Sequence, residues 1–299
     1  MLSKILPACL WVSALLFGEK VETFYGTLDV EEPILIELIH SPAVQRLKEI
    51  NQYGVAYFTT HREKYTRYDH SIGVFAILLI KYGYTINQIY PKNKNFKRLE
   101  QPLPNLCADR IDYNLQGAYF QEFLTKEEVL ELYNDLQFIN GKWVGTRPDL
   151  LKKMALFPIF MTRDCWGSPT NYALSRWLAD AIIKGLAMGI LSWKEIHFGV
   201  DSSVWNKLSK AKDSYIQQRM HMMGNYHDYF RWTDPQDADI LVKFRCRGID
   251  PWVVYDGQVL RLSIIDSELS CELDSLRKQA AEGWPIKLCG ENTENYFGS

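Results

Sequence analysis

Residues 66–80, TRYDHSIGVFAILLI, constrain the fold of this chain more than any other stretch. A short polar lead carrying Arg67, Asp69 and His70 runs directly into a continuous apolar segment, so His70 stands where a polar site meets a buried helix. A second helix is expected upstream, in SPAVQRLKEINQYGVAYF at residues 41–58. There Ser41 is the N-cap and Pro42 takes the first helical position, where a missing N–H costs little. Val44, Leu47 and Ile50 recur at helical spacing. Gly54 closes that helix, and residues 57–68 form a polar loop leading to His70.

Elsewhere the pattern is mainly helical. Residues 21–36 mix β-branched, aromatic and turn residues and form a short extended segment. Thr125 to Glu128 is a capping-box pattern that opens a helix with Val129, Leu132 and Leu136 on one side. Asn140-Gly141 is a hairpin turn between LQFI and KWVG. Helices are expected over 149–160, 203–208, 213–229 and 268–282. The longest covers 171–191, with Leu174, Trp177, Leu178, Ala181 and Ile182 on one face. Short strands are expected over 242–247, 252–255 and 259–262, the last two around Asp256-Gly257, with a further strand over 284–288. The fold class expected is mostly α with a small β-containing C-terminal part.

A chain of 299 residues buries a large core, and nine Trp with seventeen Tyr argue for a packed globule over disorder. The net charge of −2 supplies no global basic field, so no nucleic-acid partner is indicated. Six cysteines at 9, 107, 165, 246, 271 and 289 include no C-x-x-C pair, so neither a zinc knuckle nor a redox pair is indicated. The start, MLSKILPACLWVSALLF, is charged and then apolar. It resembles a secretory signal peptide with a poor cleavage site, implying a secreted or periplasmic protein. The alternative is an apolar N-terminal helix on a cytoplasmic protein. No other stretch is long and apolar enough to span a membrane.

A second chemistry-bearing segment lies at residues 108–118, ADRIDYNLQGA. On a helix, Asp109, Asp112, Tyr113 and Gln116 fall at i, i+3, i+4 and i+7, one polar face that can line a cleft. Ala108, Ile111, Leu115 and Ala118 form the apolar face. A single helix of this kind is ordinarily a surface amphipathic helix. Taken in order, RLKEINQYGVAYF, YTRYDHSIGV and DRIDY resemble the HD-domain metal-dependent phosphohydrolases, a superfamily that includes the deoxynucleotide triphosphohydrolases. The resemblance is specific over residues 41–80 and 98–120 and looser elsewhere. It implies an HD-domain-like helical bundle over 21–190 followed by a helical and β region over 191–299. By the same resemblance His70 is the first metal ligand and Asp109 the last. Arg67 and Arg110 lie at phosphates, Tyr113 lies against a sugar, and Gln52 contacts the nucleotide. The implied cofactor is a divalent metal (Mn, Fe, Zn or Mg). The implied partner is a phosphate-containing small molecule such as a deoxynucleotide, and homo-oligomerisation is left open.

The chain departs from that family at its namesake. The family carries an adjacent His-Asp pair between the two segments, and here no histidine lies between His70 and Asp109. The interval is also short, with an apparent join near residues 79–84, as though an internal block were absent. The lone His-Asp dipeptide, His227-Asp228, is far downstream in a polar stretch. Three readings follow: a phosphohydrolase impaired by loss of two ligands, an inactive scaffold that binds a nucleotide or a protein, or a truncated product of an active gene. A zinc hydrolase assembled from His61, His70, His221 and His227 is a weaker alternative, since no pair among them has H-E-x-x-H spacing.

Overall fold

The computed structural model describes residues 18–54, 58, 65–79, 100–290, 293 and 296–297. The apolar start with Cys9, the residues beyond Leu79 where the join was read, and His61 lie outside them. The described residues form twelve helices and three small sheets. A mostly α fold was expected, and the β part proves wider than its C-terminal placement.

Residues 21–36 are not a single extended segment. Strands β1 (Glu19–Thr23) and β2 (Gly26–Val30) form an antiparallel hairpin, and helix α1 (Pro33–His40) follows at once with a proline in its first turn. Val21, Leu28 and Val30 of the hairpin pack with Leu35 and Ile39 of α1. The helix read from Ser41 is shorter than its periodicity suggests. Ser41 does cap, accepting from the Val44 N–H, but α2 (Pro42–Gln45) gives way to a 3₁₀ turn over Arg46–Glu49. Ile50 is already extended, because Asn51 is drawn into a β-bridge with Thr66. A local hydrogen-bonded pairing thus overrides helical spacing.

Helix α3 (Arg67–Leu79) carries the apolar run. Helix α4 (Ala108–Phe120) packs along it, and Ile77 of α3 shares one core with Ile111 and Leu115 of α4. Helix α5 (Lys126–Asp135) opens with the expected capping box, Thr125 with Glu128. Strands β3 (Gln137–Ile139) and β4 (Lys142–Gly145) flank the Asn140-Gly141 turn. Helix α6 (Pro148–Phe160) continues into a π-helical turn over Met161–Trp166. Helix α7 (Pro169–Ala187) is the longest at 19 residues, followed by α8 (Trp193–Phe198), α9 (Asp201–Ser209) and α10 (Ser214–Gly224). The last of these stops five residues short of the expected end, and a 3₁₀ turn holding His227 and Asp228 takes over.

Strands β5 (Phe230–Trp232) and β6 (Ile240–Val242) flank β9 (Trp284–Leu288) in a three-stranded antiparallel sheet. The expected strand over 242–247 therefore ends where it was meant to begin. Residues 243–250 make no ladder. Strands β7 (Trp252–Tyr255) and β8 (Gln258–Arg261) form the last hairpin. β7 runs parallel to β4, with Val144 opposite Trp252, giving the sheet order β3-β4-β7-β8. Helices α11 (Leu262–Ile265) and α12 (Ser267–Glu282) are the last two α-helices among the described residues. Leu269, Leu273 and Leu276 of α12 join the core that holds Ile77, Leu115 and Met154.

Candidate functional site

His70 is held by the way α3 begins. The Thr66 hydroxyl accepts from the Asp69 N–H (3.1 Å), and the Asp69 carboxylate accepts from the Thr66 N–H (3.0 Å) and hydroxyl (2.6 Å). This reciprocal cap satisfies exposed donors of the first turn and occupies Asp69 structurally. The bridge beside it fixes two further residues: the Gln52 N–H donates to the Tyr65 carbonyl (2.7 Å) and the Arg67 N–H to the Ile50 carbonyl (2.8 Å). Gln52 and Arg67 are thereby locked side by side.

Across from His70, the polar face of α4 does not line open solvent. Asp112 and Gln116 are buried at 0% and 1% exposure, while the Asp109 side chain remains about two-fifths exposed at 43%. The two aspartates bracket the imidazole. Asp112 Oδ2 lies 2.6 Å from His70 Nδ1, and Asp109 Oδ1 lies 3.1 Å from Nε2. Asp112 also accepts from the Tyr25 hydroxyl (3.0 Å), the Gln116 amide (2.8 Å) and, at a long 3.4 Å, the Tyr65 hydroxyl. Such satisfaction is what makes a fully buried carboxylate tolerable. Gly73 makes the approach possible: a Cβ there would collide with Asp112 Oδ1 and come within 2.5 Å of the Gln116 amide nitrogen.

The electrostatics follow from this geometry. Burial alone would lower the His70 pKa, but hydrogen bonds to Asp109 and Asp112, together with their charges, raise it to about 9. The His70 hydrogen bond holds Asp109 below the usual carboxylate range. Burial pushes Asp112 upward against the pull of His70. Burial first, then the Asp112 charge, keeps the Tyr25 and Tyr65 hydroxyls protonated and so able to donate.

Tyr113 points along the same face, its ring centroid 6.5 Å from that of His70, and burial raises its hydroxyl to about 12. It lines a cavity of about 400 Å³ with Gln52, Arg67, Trp166, Asn171 and Arg247. His70 and Asp109 themselves are not in that lining. Arg110 turns away. Its guanidinium bonds to the Gln101 and Asn105 carbonyls and to Glu100, 2.9 Å from the carboxylate. Of the residues singled out in the sequence, the structure thus gathers His70, Asp109, Arg67, Tyr113 and Gln52, while the Arg110 side chain, also on α4, is tied to the loop over residues 100–105. His221 and His227 are exposed, on α10 and the turn that follows it, and the His227 ring lies 3.8 Å from that of Tyr226, centroid to centroid.

Sequence reasoning assigned no role to Tyr25, Tyr65, Trp166, Asn171 or Arg247. Tyr25 sits in a hairpin turn 87 residues from Asp112, and nothing local marks it. Trp166 is delivered by the π-helical turn after α6, a geometry common at functional sites.

His70 Nε2 and Asp109 Oδ1 lie at a separation that two adjacent ligands of one ion can span. Asp112 is behind the ring on the Nδ1 side, in the place of a carboxylate that orients a ligating histidine. Among the described residues, however, no three His, Cys, Asp or Glu side chains converge on one position. The donor set is half of a metal site, short of the three protein ligands usual at catalytic centres.

No protein-family model matches the sequence. Among curated proteins, the uncharacterised protein YdhJ of Bacillus subtilis is 23% identical over 329 positions, covering 90% of this chain and 99% of the relative. The metal-dependent phosphohydrolase cns2 of Cordyceps militaris is 24% identical over 309 positions, covering 82% and 88% respectively. Among solved structures, a phosphohydrolase from Bacteroides thetaiotaomicron superposes with a TM-score of 0.65 at 13% identity, covering 92% of this chain and all of the other. A hypothetical protein from Aquifex aeolicus does so with a TM-score of 0.58 at 16% identity, covering 89% and all of it. The chain therefore shares the mostly helical fold of these structures across most of its length.

Proposed function

We propose that this chain is a metal-dependent phosphohydrolase by descent whose substrate is a phosphorylated small molecule, a nucleotide by preference, and whose turnover is impaired by loss of the His-Asp ligand pair. The observation that carries the reading is His70 bracketed by Asp109 and Asp112 beside a cavity lined by Arg67 and Tyr113. The similarity to cns2 and the fold of the Bacteroides phosphohydrolase support the chemical class. The missing block is supported by the alignment with YdhJ, which runs over more positions than this chain has residues, so that the relative carries segments with no counterpart here.

A divalent ion, were one bound at such a site, would supply Lewis-acid chemistry toward a phosphoryl group and an attacking water. His70 and Asp109 would hold it, with Asp112 fixing the imidazole through Nδ1. What the residues present do by themselves is bind. Arg67 offers a planar, permanently charged fork for phosphate oxygens. Tyr113 and Trp166, with ring centroids 5.9 Å apart, present aromatic surface. Gln52 brings a buried amide oxygen with no partner among the described residues.

The test is metal content after mild dialysis, with phosphate release from a panel of deoxynucleotides in added Mn²⁺. The expected result is substoichiometric metal and little or no turnover, with nucleotide binding that weakens in Arg67→Ala. Near-stoichiometric metal with turnover abolished by His70→Ala would overturn the impairment. Absence of any binding to phosphorylated ligands would overturn the class.

A further inference from the structure

The segment after β6 carries Lys243, Arg245 and Arg247 at every second position, alternating with Val242, Phe244 and Cys246. The alternation is structural. Phe244 and Cys246 pack against the main core and Val242 belongs to a second buried cluster, while all three cations are exposed. The strip is fixed at both ends. Val242 pairs with Trp284 in the β6–β9 ladder, and the Asp250 N–H donates to the Pro104 carbonyl (3.0 Å). Phe244 seats against Gly167, where a Cβ would come within 2.6 Å of its ring.

These cations face a cavity of about 440 Å³ whose lining includes Arg176, Lys243, Arg245 and Arg247 and no carboxylate. Arg176 has Asp180 at 3.5 Å, whereas Lys243, Arg245 and Arg247 make no ion pair with any described residue. The opposite wall is one flank of α7, whose cap Ser168 and the residues Asn171, Tyr172, Ser175, Arg176 and Ala179 belong to the lining. Trp166, Asn171 and Arg247 belong to this lining and to that of the cavity beside Tyr113, so the two spaces share a wall.

We infer that the groove between the Lys243–Arg247 strip and the start of α7 is a second anion-binding site, which takes the polyphosphate group of a small molecule. Three like charges held side by side on a fixed backbone repel one another and are stabilised by a ligand of opposite charge. From Lys243 to Arg247 the extended backbone spans about 13 Å, so flexible basic side chains along it can converge on one polyphosphate. The volume lies in the range of small-molecule sites, roughly 300–1,000 Å³. With a net charge of −2, the chain has no global basic field of the kind that tracks a nucleic acid. The site does not depend on metal or on hydrolysis at His70.

The test is titration calorimetry of the full chain with inorganic triphosphate at low ionic strength, without metal. Wild type should bind saturably. The Lys243→Gln/Arg245→Gln/Arg247→Gln variant should bind at least tenfold more weakly, with its circular dichroism unchanged. Lys278→Gln, which removes an exposed cation elsewhere, should bind as wild type does. Arg67→Ala should also retain binding, which separates this site from the one proposed above. Equal affinity of wild type and the triple variant would overturn the inference. So would a single-stranded oligonucleotide that binds far more tightly than triphosphate and is lost in the same variant, because the groove would then serve nucleic acid.

Discussion

At the scale of single residues, the most exacting position is Gly73. It faces a carboxylate that cannot retreat, because Asp112 is wholly buried and shared among His70, Tyr25 and Gln116. Gly73→Ala must either push α3 from α4 or break those bonds. Overpacking of this kind costs about 1–3 kcal/mol, and an orphaned buried carboxylate adds to it. The denaturant midpoint should fall by a matching amount and the triphosphate affinity of the basic groove should not. A midpoint unchanged from wild type would show that the two helices approach less closely than described. Tyr25→Phe tests the same carboxylate from the other side. It should destabilise by about 1–3 kcal/mol in the same assay, since a buried acceptor loses a donor.

At the scale of elements, α3 depends on its first turn. Thr66→Ala removes both halves of the exchange with Asp69 that the hydroxyl serves, and should cost about 1 kcal/mol. Because His70 sits one residue beyond, the same change should also shift the His70 imidazole resonances in an NMR spectrum; a capping role without consequence for the site would leave them unmoved. Much of this level was legible in the sequence. The caps at Ser41 and Thr125, the Asn140-Gly141 hairpin and the longest helix follow from side chains acting on their own backbone. The errors share a different cause. Ile50 to Gly54 has helical periodicity but pairs with Thr66, Lys243 to Arg247 has strand alternation but no partner strand, and the β1–β2 hairpin needed α1 to cover it. Each outcome was decided by packing or pairing outside the segment itself. The site divides the same way. His70, Asp109 and Tyr113 belong to local motifs, whereas Tyr25, Trp166 and Arg247 become its neighbours through tertiary packing alone.

At the scale of the whole molecule, one core joins helices from both ends of the described chain, Ile77 of α3 with Leu273 of α12. Leu273→Ala, at 1% exposure, should cost about 2–5 kcal/mol, the usual range for a buried leucine, and lower the midpoint of a single cooperative unfolding transition. Two transitions, with α12 melting first, would show that the C-terminal helix is an independent appendage. The parallel pairing of β4 with β7 carries a further consequence. Val144 and Trp252 meet across more than a hundred intervening residues, so no ribosome-bound fragment ending before β7 can complete that sheet. The His70 helix emerges early in synthesis but waits for the last third of the chain before its surroundings close. Until then its apolar run is a surface for chaperones, and the yield of native protein should depend on how quickly translation proceeds beyond Trp252.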